Sequence, residues 1–114
     1  MFNFKHFTEE DEIQIFTSPW VNGTRAESYF GGTETDAFIE YGNGLEEIIL
    51  KGINEVIEKM KVKARGLKAN SVVGFDLQID PYKEINGVKG MYFIAQGTIA
   101  KLVPLWGNYG KKNA

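Results

Sequence analysis

The chain has 114 residues, which suits one domain with a modest core. Its formal net charge is -2, so nothing pulls it as a whole toward nucleic acid or an anionic membrane. It holds no cysteine, which excludes disulfides, thiolate zinc sites and cysteine nucleophiles.

The first residues crowd Phe2, Phe4 and Phe7 together, as an element packing on a sheet edge would. His6 among them is the only histidine, and near a terminus it reads as a surface residue. Lys5 stands alone before an acidic stretch, unlike a secretion signal. No run reaches the roughly 18 apolar residues of a membrane span. The cytoplasm is the expected location. Ile13 and Ile15 alternate with Glu12 and Gln14, which predicts a short strand. Ser18-Pro19 and Asn22-Gly23 bracket a turn around Trp20. Residues 24–30 alternate weakly as a second strand, Gly31-Gly32 ends it, and residues 33–41 form a connector with Phe38 and Ile39 tucked in.

A long amphipathic helix follows. Leu45, Ile49, Ile53, Val56, Ile57, Met60, Ala64 and Leu67 recur at steps of three and four, and Ile48 and Leu50 widen the stripe. Asn43 is the expected N-cap, with Glu46 reaching back as in a capping box. Glu46 and Glu47 complement the positive end of the helix dipole. The run Lys59, Lys61, Lys63, Arg65 and Lys68 complements the negative end. Gly52 in mid-helix costs about 1 kcal/mol against Ala, which suggests a neighbour packed close to that turn.

Residues 71–82 alternate Val73, Phe75, Leu77 and Ile79 with Gly74, Asp76, Gln78 and Asp80, the mark of a strand with one polar face. Asn86-Gly87 is a strong type I′ hairpin signal. A two-residue turn sets Ile85 opposite Val88, Ile79 beside Ile94, Val73 beside Ala100, Asp76 against Gly97 and Asp80 against Phe93, unless a bulge intervenes. The return strand, 88–102, is apolar on both sides. Met91, Phe93, Ala95 and Ile99 point one way, and Tyr92, Ile94, Ala100 and Leu102 the other. One helix covers one face, so the second needs the N-terminal segment, a partner subunit, or both. Pro104 stops the strand, Trp106 and Tyr109 are expected to fold back onto a neighbour, and residues 111–114 form a tail.

Three segments resemble the YbjQ-like family, often labelled heavy-metal-binding. They are Gly52-x3-Val56-x3-Met60-x3-Ala64, Leu67-Lys-Ala-Asn-Ser-Val-Val-Gly at 67–74, and Ala95-Gln-Gly-Thr-Ile-Ala at 95–100. The likeness covers residues 45–102. It implies a β-α-β-β unit, similar in topology to dodecin subunits, assembled in rings that are usually pentamers. Lys68 stands where the family has Gly, and a non-Gly residue held left-handed there costs on the order of 1 kcal/mol. Gly66 offers the helix another way to end. The family's Gly-Gly-Arg-Ser segment is replaced by Glu40-Tyr-Gly-Asn-Gly, and the N-terminal third matches poorly.

No catalytic set appears, and the reading is not an enzyme. Asp76 and Asp80 share a strand face and Glu84 lies beyond. Carboxylates suit Ca²⁺ or Mg²⁺, so these three are the candidate metal ligands. Soft metals prefer thiolate or imidazole, which this chain nearly lacks. No cofactor is predicted beyond such a divalent metal. Gly31-Gly32 and Asn43-Gly44 lack the Lys-Ser/Thr of a phosphate loop. The sequence therefore predicts a single α+β domain: divergent strands and a connector to residue 42, a helix and hairpin over 43–102, and a tail from 103. One long helix packs on an antiparallel sheet, a β-α-β-β core with an extra N-terminal strand or strands, in a ring-forming oligomer. The expected partner is the chain itself, with neither nucleic acid nor membrane. The expected role is a non-enzymatic oligomeric binding or scaffold protein. The alternative is metal or small-ligand binding at subunit interfaces.

Overall fold

The helical repeat folds as α1, Leu45–Gly66, in a computed structural model that describes residues 12–42 and 44–105. Its buried line is Ile48, Gly52, Val56, Met60 and Ala64, one residue per turn. Ile49, Ile53 and Ile57 lie half-buried along one flank. Leu45 and Leu67, expected in the stripe, are 58% and 45% exposed. The contact line runs in steps of four from Ile48 to Ala64, and Leu45 and Leu67 lie three residues beyond its two ends and off that line, so they turn outward. Gly44 stands at the N-cap in extended backbone, without a side-chain cap, and its carbonyl accepts the Ile48 N–H at 3.1 Å. The expected N-cap, Asn43, lies outside the described residues, as do Phe2, Phe4, His6, Phe7, Trp106, Tyr109 and residues 111–114.

The helix ends in a Schellman motif. Ala69 N–H donates to Ala64 O at 2.9 Å and Lys68 N–H to Arg65 O at 3.0 Å. Lys68 holds the left-handed position at φ 61°. Gly66 stays helical, so the alternative ending it offered is not used. The motif fixes the turn at Lys68 whatever side chain stands there.

Four strands form one sheet: β1 (Gln14–Ile15), β2 (Thr24–Glu40), β3 (Ser71–Ile85) and β4 (Val88–Pro104), in the order β1-β3-β4-β2. β4 runs antiparallel to β2 and β3, while β1 runs parallel to β3, so the sheet is mixed. α1 crosses from β2 to β3 on one face, over β2 and β4. The expected α+β fold is what forms. No helix among the described residues is long and apolar enough to cross a membrane.

The hairpin turns at Asn86 (φ 53°) and Gly87 (φ 81°), and Ile85 opposes Val88 as expected. Two bulges then shift the register. The first falls between Asp80 and Lys83, so Asp80 meets Tyr92 and Ile79 meets Phe93. Pro81, which has no N–H to give the ladder, lies in it. The second falls between Val73 and Asp76, so Asp76 meets Gln96 and Val73 meets Thr98. Gly74 (φ 65°) supplies the left-handed residue there, and its N–H donates to Ser18 O at 2.8 Å.

β2 overturns a larger expectation. Residues 33–41 are mostly strand, because β2 continues through Gly31-Gly32 to Glu40. The pairing with β4 slips between Ala26 and Ser28 and again between Tyr29 and Gly31. Two bulges thus absorb the irregularity that local composition presents as a stop, and partner pairing carries the strand on.

Candidate functional site

The two faces of the sheet differ. Toward the helix lie Thr35, Ala37 and Ile39 of β2 and Met91, Phe93 and Ala95 of β4, all buried. Thr35 Oγ1 donates to Val56 O at 2.9 Å and ties β2 to the helix backbone. A methyl built on Gly52 would overlap Cε1, Cζ and Cδ1 of the Phe93 ring. The neighbour inferred at mid-helix is therefore Phe93.

The far face carries Glu34, Asp36 and Phe38 of β2, Gln96, Ile94 and Tyr92 of β4, and Asp76, Gln78 and Asp80 of β3, aligned in that order across the sheet. It is not the bare apolar surface expected, since Asp36 stands across from Ile94 and Asp80 across from Tyr92. Tyr92 Oη donates to Asp36 Oδ2 at 2.5 Å, and Lys83 Nζ sits 5.3 Å from the Tyr92 ring centre. The hydrogen bond to Asp36 raises the Tyr92 pKa above its ordinary 10.0, helped by desolvation and by the charges of Asp36 and Glu34. The β1 end of the sheet is lined by the leading third of the chain. Phe16 and Val21 join Ser71 and Leu102 around a hollow of about 460 Å³.

Of the candidate metal ligands, Asp76 and Asp80 do share a face of β3. Asp80 Oδ1 accepts the Tyr82 N–H at 3.0 Å, and the bulge after Asp80 separates it from Glu84. Among the described residues, no three His, Cys, Asp or Glu side chains gather closely enough to hold a metal ion.

The helix flanks hold what composition did not reveal. On the β2 side, Lys59 Nζ donates to Asp36 O at 2.5 Å and Lys63 Nζ to Glu34 O at 3.0 Å. Lys59 also pairs with Glu55 at 3.5 Å. The i,i+4 spacing of the two lysines was visible in the sequence, but their backbone partners were not. On the other side, Ile57 and Asn54 face Ile13 and Ile15 across an open groove of about 540 Å³. Beyond it β3 has little cover among the described residues. Phe75 and Leu77 are half-buried, Ile79 is 39% exposed and Tyr82 89% exposed. Leu50, one turn before Asn54 on the same flank, is 57% exposed. This apolar flank is the candidate interaction surface.

The architecture is thus a β-α-β-β unit with a short parallel strand added at one edge. It is similar to the crystal structure of a protein of unknown function from Pediococcus pentosaceus ATCC 25745, described as belonging to the DUF74 family. The TM-score is 0.58 at 20% identity, covering 80% of this chain and 98% of that one. DUF74 is the YbjQ-like family, so the resemblance noted above and the fold point the same way. At this identity the likeness speaks for the fold alone. No family model matches the chain, and no curated protein does.

Proposed function

We propose that this chain is a non-enzymatic, self-assembling binding or scaffold protein that works as a homo-oligomer in the cytoplasm without a resident cofactor. The observation that carries the reading is the apolar surface exposed among the described residues: Ile79 of β3 and Leu50 of α1 are exposed, and Phe75 and Leu77 are half-buried. Contiguous apolar surface of this kind usually marks an interface. Resemblance to the YbjQ-like family supports a ring, with five copies as the family's usual form, and in this reading a ligand lies at subunit seams. Light scattering coupled to size exclusion tests this, followed by native mass spectrometry for stoichiometry and retained small molecules. A single mass of several chains is the expected result. A chain that stays single at all concentrations would refute it.

A further inference from the structure

The groove between β1 and α1 opens where the described chain begins. Ile13 and Ile15 form one wall and Ile57 and Asn54 the other, around about 540 Å³. Glu12 lines the groove too, so the chain that precedes it sets out from the groove's own rim. Pairing fixes which end this is. Gln14 sits beside Ser71, just past the helix C-terminus, and Lys61 lies nearer that terminus than Asn54 does. Lys61 brings a cation to this end of the groove, with Glu58 3.9 Å away.

The preceding sequence suits that surface. Thr8-Glu9-Glu10-Asp11 is a polar run of turn length, and its carboxylates leave the chain on the side where Lys61 stands. Before it come Phe7, Phe4 and Phe2, large apolar side chains that gain by leaving water. The lengths agree. Asn54 to Lys61 is two turns of helix, about 10 Å, and Phe4 to Phe7 reaches about 10 Å when extended. Tethering decides between this chain and another: a segment on a short linker meets its site at an effective concentration in the millimolar range, far above that of a second copy in dilute solution.

We infer that residues 2–7 fold back into the groove of the same chain, with residues 8–11 making the reversal and Phe7 and Phe4 packing over Ile57 and Asn54 between α1 and β1. The self-assembly reading concerns the surface beyond this groove, so either can fail alone.

The test uses the full chain with Asn54→Cys, whose thiol is unique because the chain holds no cysteine. Asn54 is exposed among the described residues, so an empty groove leaves that thiol open to reagent. A groove filled in about nine chains of ten slows maleimide labelling about tenfold, at every dilution, against the same chain carrying Phe4→Ser and Phe7→Ser. Equal rates in the two chains overturn the proposal. Slow labelling that dilution restores puts a second copy in the groove, and slow labelling of both chains at all dilutions puts another segment there; each overturns it. Circular dichroism checks the helix in both chains. Should the Phe4→Ser, Phe7→Ser chain lose its helix signal, a cross-link decides. Phe4→Cys with Asn54→Cys should oxidise to an intramolecular disulfide faster than Phe4→Cys with Glu40→Cys, which stands on β2 at the opposite edge of the sheet. A rate no faster than that reference overturns the proposal.

Discussion

Gly52→Ala sets helix propensity against packing. In open helix the change stabilises by about 1 kcal/mol. Here the added methyl meets three carbons of the Phe93 ring, and Phe93 is fully buried. The ring cannot swing aside, since Ala37 and Ile79 stand beside it on the neighbouring strands. Overpacking a tight core costs about 1–3 kcal/mol, and an overlap this deep belongs at the upper end. The difference leaves a net loss of about 2 kcal/mol. For a domain of this size each kcal/mol shifts Tm by about 4 °C, so the melt should fall by roughly 8 °C. Thermal unfolding followed by circular dichroism measures this, at fixed protein concentration because any self-association would add to apparent stability. Gly66→Ala is the control, because a methyl there meets nothing within 4 Å and should leave Tm unchanged or raise it. Combining Gly52→Ala with Phe93→Leu should cost less than the two changes summed, by about 1 kcal/mol or more. A Gly52→Ala chain as stable as wild type, or more stable, would refute the account of how α1 is seated.

Other substitutions probe the same frame. Lys68→Gly relieves the left-handed backbone at φ 61° and should stabilise by roughly 0.5–1 kcal/mol, read from a denaturant midpoint. Thr35→Val removes the 2.9 Å bond to Val56 O at constant volume and should cost about 0.5–1.5 kcal/mol in the same assay. Tyr92 should be late among the tyrosines to ionise, and Asp36→Asn should bring its titration, followed by phenolate absorbance, back toward 10.0. The sign follows from proton uptake: folding holds the Tyr92 proton more tightly than the unfolded chain does. The stabilisation is therefore complete below the unfolded pKa and is lost as pH rises through the folded one.

Local signals carried well where local physics decides. The helix, the Asn86-Gly87 turn and the Ile85–Val88 pair all follow from residues within one or two turns of chain. Register did not carry, although its signals were present: Gly74 and Pro81 inside a strand are bulge residues, and each moves every later pair by one. The length of β2 was hidden for a different reason. Gly31-Gly32 reads as a stop until β4, far along the chain, supplies the pairing that overrides it. The lysine contacts were hidden in the same way, since Lys59 and Lys63 bond to carbonyls 23 and 29 residues away in sequence. Carboxylates on the far face were legible as Asp76 and Asp80, but Glu34 and Asp36 were not, because their segment was read as connector.

The open flank follows from the seat of the helix. An α-helix with its side chains is about 10–12 Å across, and strands lie about 4.8 Å apart, so one helix covers about two strands. Three long strands therefore leave one under-covered, and packing decides which. Gly52 brings the helix axis down on Phe93 of β4, and Thr35 pins it toward β2 through Val56 O. Both contacts seat α1 over β2 and β4, and Lys59 and Lys63 bond to the β2 carbonyls of Asp36 and Glu34. The residue that fixes the core thus also decides which strand is left under-covered.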